Sequence, residues 1–206
     1  MPLTIDSKPA QSGPPVLVLA AGSSSRMGRS KAMLGWGSGS LLDHAIDQAR
    51  VLSTSVWVVS GCYYPVSRYR VTRRPSRWVY NPDWHLGMAS SLRAGLGALP
   101  ASCPGVFVVL VDQPLVSTES LVQLRKSAEH QRHQAIAADH QGRPGAPAYL
   151  PRRLWPAIGT LEGDRGAGQI LRQVGAQTLI MPGAETDADT PADWRHLQQV
   201  LSEQTR

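Results

Sequence analysis

An α/β fold with a mostly parallel sheet is predicted by three features of this sequence. Short apolar runs typical of strands alternate with helical patterns throughout the first 140 residues. The run at 106–111 is apolar at every position, as expected for a strand covered on both faces. Small and polar residues follow the ends of several runs, where open sheets of this kind bind ligands. Right-handed βαβ units then give a Rossmann-like three-layer sandwich.

The individual elements follow from these patterns in chain order. Strands are predicted at 16–20, 56–59, 78–80, 106–111, 135–138 and 178–181. Helices are predicted at 40–52, 87–99, 118–131, 151–158, 165–174 and 190–201. Ser40 with Asp43 forms a capping-box pattern at the start of the first helix, and Thr190 before Pro191 is a good cap for the last. Turns or irregular segments are expected at 35–39 and 64–76, and a loop with a short strand at 142–151.

Length and composition predict one domain at 15–206 that follows a flexible arm at 1–14. The net charge of +6 comes from scattered arginines, apart from a local group at 68–77, so an anionic small substrate is favoured over nucleic acid. Two cysteines without a C-x-x-C motif argue against a disulfide framework and a zinc site. The absence of a signal peptide and of a long apolar run predicts a cytoplasmic protein without membrane contact.

The most informative segment runs from Val16 to Lys31, with the sequence VLVLAAGSSSRMGRSK. A buried strand leads into small residues at 21–25, whose backbone N–H groups can come close to phosphate oxygens. Arg26 and Lys31 then supply positive charge for a triphosphate. The spacing of glycines matches neither the Walker A motif nor G-x-G-x-x-G, so a dinucleotide site loses its main support. A strand followed by a flexible turn with two solvated cations is the simpler alternative.

This segment resembles the signature L-A-A-G-x-S-x-R-M-G-x-x-K of the MobA-like NTP transferases, and most of all the molybdenum cofactor cytidylyltransferases. The resemblance implies a nucleotide-diphospho-sugar transferase type of fold and a triphosphate site at the signature. The implied nucleotide-binding residues in this segment are Leu19, Ala20, Ala21, Gly22, Ser23, Ser24, Arg26 and Lys31.

Two aspartates are candidate metal ligands. Asp112 ends the most hydrophobic strand, where an ionised carboxylate needs a partner, and Mg²⁺ prefers a few carboxylates together with phosphate oxygens. The second acid is Asp189, in a run that resembles the family's D-x-D-T-P-x-D motif; Asp193 there is interpreted as a helix cap, and the role of Asp187 stays open. As an alternative, Asp112 is a turn or capping residue.

Two further regions extend the predicted nucleotide site. The element N-P-x-W-x-x-G-M-x-x-S-L at 81–92 resembles the family's sequence, which implies that Asn81, Gly87 and Ser91 lie along the base and ribose. A helix start that is rich in serine but binds no ligand is the alternative. Gly61 follows the strand at 56–59, where an open sheet presents a ligand loop.

Two further segments, Gly142–Pro147 and Gly163–Gly168, resemble the family's motifs G-x-x-G-H-P and G-D-x-G-A-R. The resemblance implies that they lie on the side of the site that binds the acceptor substrate, which we call the acceptor side. Ala146 replaces the histidine and Gly168 replaces the arginine of these motifs, so the identity of the acceptor stays open. Residues assigned to the acceptor side are Gln113, Pro114, Gly145 and Pro147.

Together, these motifs predict a Mg²⁺-dependent nucleotidyltransferase in which Arg26, Lys31 and Asp112 are catalytic. It is expected to transfer CMP from CTP to the terminal phosphate of molybdopterin or molybdenum cofactor, with release of pyrophosphate. The Ala20–Ala21 pair favours CTP, and a molybdenum hydroxylase is the protein partner that the resemblance implies. Alternatives are transfer to a sugar or polyol phosphate, a dinucleotide-binding oxidoreductase, or a non-catalytic cofactor chaperone.

Overall fold

A computed structural model describes residues 13–204 and shows one sheet between two layers of helices. The strands are β1 (Val16–Ala20), β2 (Gly35–Trp36), β3 (Gly39–Ser40), β4 (Val56–Ser60), β5 (Arg77–Tyr80), β6 (Gly105–Leu110), β7 (Ile136–Asp139), β8 (Pro144–Pro151) and β9 (Gln177–Leu179). The helices are α1 (Leu41–Leu52), α2 (Val66–Arg70), α3 (Met88–Ala98), α4 (Thr118–His130), α5 (Trp155–Gly159), α6 (Gly168–Gln173) and α7 (Pro191–Gln204).

Most of the arm that was predicted at 1–14 lies outside the described residues, because the description begins at residue 13. Within residues 13–204, no helix has the length and apolar character needed to cross a membrane.

The main sheet has seven strands in the order β5-β4-β1-β6-β8-β7-β9. β8 runs antiparallel to β6 and β7, whereas all other neighbouring strands pair in parallel. The predicted α/β class with a mostly parallel sheet is therefore confirmed. The β2–β3 hairpin is a separate two-stranded sheet at a segment that was predicted to be a turn.

The extent of β8 was underestimated, because three prolines interrupt a segment that was predicted as a loop with a short strand. Ala137 pairs with Ala148 and Ala138 pairs with Gly145, so a bulge accommodates Pro147 between the two paired positions. A proline is tolerated there because the bulged residue donates no hydrogen bond to the ladder. The basic segment 64–76 also contains the short helix α2, although no regular structure was expected.

The predicted capping box of α1 is present. The Asp43 N–H donates to Ser40 Oγ at 3.1 Å, and the Ser40 N–H donates to Asp43 Oδ2 at 2.9 Å. The same carboxylate accepts hydrogen bonds from the backbone N–H groups of Thr72 (2.8 Å) and Arg73 (2.7 Å). Asp43 therefore caps the helix and also holds the segment that leads to β5.

Alternate side chains of β1 point into two separate hydrophobic cores. Val16 and Val18 pack with the helix layer that contains α1, α4 and α7, whereas Leu17 and Leu19 pack with α3, α5 and α6 on the opposite face. With both faces covered, the open edge formed by the carboxyl ends of β1 and β6 is where a ligand can reach the sheet.

Candidate active site

The loop after β1 has a fixed backbone shape that brings Lys31 back towards the sheet. Ser24 adopts a left-handed conformation with φ of 54°, and its hydroxyl accepts a hydrogen bond from the Lys31 N–H at 3.1 Å. A 3-10 turn follows at Ser25–Met27, and buried Met27 anchors it in the core. Gly28 closes the turn at φ of 65°, a conformation that favours glycine.

Four charged side chains lie close together beside this loop, as the sequence predicted: Arg26, Lys31, Asp112 and Asp189. Lys31 Nζ lies 3.2 Å from Asp112 Oδ2 and also donates a close hydrogen bond to Asp189 Oδ1. Arg26 forms an ion pair with Asp189 Oδ2 at 2.8 Å, although its side chain is 71% exposed. The Ala188 N–H donates to the Asp112 carbonyl at 2.9 Å, which fixes the two aspartate segments side by side.

The electrostatic environment of this cluster perturbs three groups. Burial alone lowers the pKa of Lys31, but the charges and hydrogen bonds of Asp112 and Asp189 outweigh it and the net pKa is raised. The hydrogen bond from Lys31 lowers the pKa of Asp189. Loss of hydration, together with the charge of Asp112, raises the pKa of Asp187 to about 6. The cluster therefore holds a protonated Lys31 beside an ionised Asp189 at neutral pH.

The donor set fits a hard divalent cation that is shared with a phosphorylated ligand. Asp112 and Asp189 present carboxylate oxygens at one point, and their side chains remain 21% and 34% exposed. Within residues 13–204, no group of three His, Cys, Asp or Glu side chains is placed to hold a metal ion. Mg²⁺ is commonly bound by one or two carboxylates, with phosphate oxygens and water as its remaining ligands. The described residues offer two carboxylates of this kind but not a complete set of protein ligands.

A cavity of about 610 Å³ opens directly above the cluster. It is lined by most of the predicted nucleotide and metal residues, namely Leu19, Ala20, Ala21, Gly22, Ser23, Ser24, Arg26, Lys31, Gly87, Ser91, Asp112 and Asp189. Sequence reasoning assigned no ligand role to further lining residues at Trp84, His85, Met88 and Asp164, and left Asp187 open. Trp84 and Met88 are matched positions of the motif at 81–92, so the sequence could have predicted that they line the cavity.

Two residues predicted to bind nucleotide lie behind the cavity wall instead of lining it. A Cβ on Gly61 would lie 2.4 Å from Trp84 Cβ and 2.7 Å from the Ala21 carbonyl oxygen, so only glycine allows this close packing. Asn81 is buried and donates to Ser90 Oγ at 2.9 Å and Ser91 Oγ at 3.1 Å. Both residues therefore position the wall of the cavity.

A second cavity of about 420 Å³ adjoins the first. The two share the lining residues Leu19, Met88, Leu110 and Asp187. The floor of the second cavity is apolar and includes Leu92, Val108, Ala148, Leu150 and Leu171. Its lining also contains Arg143, Arg165 and Arg172, and within residues 13–204 none of these three guanidinium groups forms an ion pair. The second cavity therefore suits a ligand with an apolar body and negative charge.

The predicted acceptor residues divide between this cavity and the core. Gln113 and Gly145 line the cavity. Pro114 does not, because it packs towards α1, where its carbonyl accepts a hydrogen bond from His44 Nε2 at 2.9 Å. Pro147 is buried in the bulge of β8 and is also absent from the lining.

His140 lines the second cavity, although no role was assigned to it from the sequence. His140 Nε2 donates to the Ala146 carbonyl at 2.8 Å, and a Cβ on Gly145 would lie 2.7 Å from the ring. Backbone hydrogen bonds between His140 and Arg143 close the turn that carries both side chains. The turn thus fixes the His140 imidazole at the second cavity and places the exposed Arg143 in the same lining.

Residues 16–178, which contain the loop and most of both cavities, match the MobA-like NTP transferase domain. The chain belongs to the MobA-like NTP transferase family. It is 33% identical over 165 residues to nicotine blue oxidoreductase of Paenarthrobacter nicotinovorans, covering 76% of this chain and 80% of that protein. It is 30% identical over 144 residues to molybdenum cofactor cytidylyltransferase of Escherichia coli, covering 66% of this chain and 69% of that protein.

The fold of this MobA-like NTP transferase also resembles solved structures. Rv0371c from Mycobacterium tuberculosis superimposes with a TM-score of 0.78 at 22% identity, over 92% of this chain and 100% of that chain. A second structure of Rv0371c is a complex with manganese, with a TM-score of 0.74 at 21% identity, over 91% of this chain and 98% of that chain. The predicted family, fold type and nucleotidyltransferase class are confirmed.

Proposed function

We propose that the protein is a Mg²⁺-dependent cytidylyltransferase that joins CMP from CTP to the terminal phosphate of a molybdopterin-type cofactor. The observation that carries this proposal is the meeting of the two cavities beside Lys31, Asp112 and Asp189. A triphosphate in the larger cavity and a phosphorylated acceptor in the smaller one come together at this charged cluster. The finished dinucleotide cofactor then passes to a molybdenum hydroxylase.

On the nucleotide side, the backbone of the 21–25 loop faces the cavity where the triphosphate is proposed to lie. Arg26 and Lys31 are placed to neutralise the β and γ phosphates once these anions replace the aspartates as their partners. Asp112 and Asp189 are the residues that would hold Mg²⁺, which supplies charge stabilisation for phosphate oxygens when bound. The Ala20–Ala21 pair follows the cytidylyltransferase form of the motif, and the relative from Escherichia coli bears that name.

The acceptor side is supported by the charge of the smaller cavity. Its lining contains three arginines and one carboxylate, Asp187, which leaves a net positive charge over an apolar floor. An acceptor with a flat apolar ring system and anionic substituents matches both properties. Arg143 and His140 supply polar groups to this cavity in a sequence that lacks the family's histidine at 146 and arginine at 168.

The proposed reaction requires alignment more than proton transfer. An oxygen of the acceptor phosphate attacks the α-phosphorus of CTP, and the bond from that phosphorus to the bridging oxygen of the β-phosphate breaks. Pyrophosphate leaves with the electron pair, and the products are the dinucleotide and pyrophosphate. Because the attacking phosphate oxygen is already an anion, catalysis rests on orientation and charge neutralisation.

Pyrophosphate release tests this proposal. The purified protein is supplied with Mg²⁺ and CTP, GTP, ATP or UTP, each with and without purified molybdopterin cofactor. We expect release only with CTP and the cofactor together. Lys31→Gln is expected to abolish most of this release, whereas Arg70→Gln, an exposed arginine outside both cavities, is expected to retain it. Release with GTP instead of CTP would contradict the donor assignment.

The same assay separates the alternative functions. Release with a sugar phosphate or polyol phosphate, but not with molybdopterin, would identify another acceptor. Binding of nucleotide without release from any pair would favour a cofactor chaperone. An absorbance change with a nicotinamide cofactor would favour a redox enzyme, which the name of the relative from Paenarthrobacter nicotinovorans makes a necessary control.

A further inference from the structure

A strongly basic surface lies at the edge of the sheet, outside both cavities. The segment 61–82 contains five arginines and no aspartate or glutamate. Arg73 forms an ion pair with Asp47 at 2.8 Å. Among the described residues, the other four guanidinium groups make no ion pair; they belong to Arg68, Arg70, Arg74 and Arg77. This concentration of exposed positive charge has no role in the proposed reaction.

The edge strand β5 runs through this surface. Its neighbour in the sheet is β4, and its other side faces no strand within residues 13–204. Two large aromatic side chains are exposed here: Tyr80, the last residue of β5, is 50% exposed, and Tyr69 in α2 is 79% exposed. An edge strand with open backbone groups is a template for the addition of another strand, and such proteins usually protect it.

A groove of about 420 Å³ accompanies the strand. It is lined by Arg68, Arg74, Pro75, Ser76, Arg77 and Trp78. Trp78 and Val79 are half-buried, so the strand offers partly apolar positions next to the exposed Arg77. The groove therefore combines positive charge, apolar contact area and a strand edge within one short segment. We call β5 together with this groove the basic edge surface.

We propose that the basic edge surface binds an extended acidic segment of a partner protein, which adds to the sheet as a strand alongside β5. A second copy of this chain is disfavoured because it would bring the same positive charge to the contact. Nucleic acid is disfavoured because it has no amide or carbonyl backbone groups that could pair with the edge of β5. Open backbone groups at the edge are matched by another polypeptide backbone rather than by phosphates.

The proposal is tested with short model peptides and the full chain. A labelled peptide that alternates Glu and Val is titrated by fluorescence anisotropy, in parallel with the corresponding Lys and Val peptide and with single-stranded oligo-dT. We expect the acidic peptide to bind, the basic peptide not to bind, and affinity to fall as salt is raised. Amide hydrogen exchange is then measured with the acidic peptide bound, and protection is expected at 77–80.

The double variant Arg68→Gln/Arg74→Gln is expected to weaken binding of the acidic peptide by about tenfold or more. The matched control Arg153→Gln/Arg195→Gln removes the same charge from exposed positions on other elements and is expected to bind like the parent. Nucleotide binding should be unchanged in both, which shows that they are folded. Tighter binding of oligo-dT, equal loss in both variants, or binding without protection of 77–80 would each overturn the proposal.

Discussion

Replacing Asp43 by asparagine is expected to destabilise the fold by about 2–4 kcal/mol at pH 7. Oδ2 of this buried carboxylate accepts hydrogen bonds from Ser40, and Oδ1 accepts them from Thr72 and Arg73. An asparagine can keep its oxygen towards Thr72 and Arg73. Its amide nitrogen then faces the Ser40 N–H, so two donors meet and the half of the capping box that the Asp43 side chain supplies is lost. The hydrogen bond from the backbone N–H of residue 43 to Ser40 Oγ can remain.

The magnitude follows from the pKa of this carboxyl group. Burial alone would raise the pKa of Asp43, but hydrogen bonds from Ser40, Arg73 and Thr72 outweigh it and lower the pKa from 3.8 to about 2. The ionised form therefore stabilises the folded state by roughly 2–3 kcal/mol at pH 7. Because the pKa is lowered on folding, this contribution is nearly complete above about pH 5 and is lost as the pH falls through 2. At pH 3 it is about half of its value at pH 7.

Urea unfolding at pH 7 and at pH 3 measures both quantities for the parent and for Asp43→Asn. Asp47→Asn is the matched control, since Asp47 lies one turn further along α1 and its ion pairs with Arg50 and Arg73 are exposed. We expect Asp47→Asn to lower the free energy of unfolding by less than about 1 kcal/mol. The reasoning is refuted if both substitutions lower the free energy of unfolding equally at pH 7. It is also refuted if the destabilisation by Asp43→Asn is no smaller at pH 3 than at pH 7.

Four further predictions concern the site. Lys31→Gln is expected to lower the turnover of the folded protein by about 100-fold or more, as measured by pyrophosphate release. Urea unfolding measures the separate loss of stability that follows when Asp112 and Asp189 lose their buried cation; loss of folding with normal specific activity would contradict the role of Lys31. Gly61→Ala is expected to raise the KM for nucleotide, because its new methyl group displaces Trp84 at the cavity wall; an unchanged KM and an unchanged unfolding midpoint would show that the wall does not move. Arg172→Gln is expected to raise the KM for acceptor and to leave the affinity for CTP, measured by calorimetry, unchanged, and Arg172→Lys is expected to restore part of the lost acceptor binding. Weaker CTP binding by Arg172→Gln would indicate that this side chain contacts the nucleotide instead of the acceptor. Asp187→Asn is expected to be more stable than the parent at pH 8 and similar to it at pH 4.5, because a raised carboxyl pKa makes ionisation unfavourable in the folded state; a thermal-melting difference that does not vary with pH would be incompatible with this.

The sequence predicted those parts of the fold and site that depend on local patterns. The strand at 16–20 and the two capping boxes at 40–43 and 190–193 are present because apolar runs and cap spacing determine them over a few residues. Asp112 and Asp189 were paired from their motifs although they are far apart in the chain, and the structure brings both to Lys31.

The features that sequence missed depend on long-range packing. The full length of β8 was not predicted, because the bulge that accommodates Pro147 exists only when β7 pairs beside it. Asn81 and Gly61 stay predicted ligand contacts, and nothing in the sequence indicated that their neighbours in space place them behind the wall of the larger cavity. His140 has no motif around it and lines the smaller cavity beside Gly145, which leaves room for its ring.

The segments before and after β8, which runs antiparallel to its neighbours, border a different cavity from the loop after β1. The loop at 21–25 lines the larger cavity, whereas the turn at 140–143 and helix α6 line the smaller one. Leu19, Met88, Leu110 and Asp187 line both cavities. The smaller cavity can therefore be altered through the turn at 140–143 and helix α6 without changing the 21–25 loop, Lys31 or Asp112. Such a frame is suited to a family in which relatives carry names as different as oxidoreductase and cytidylyltransferase.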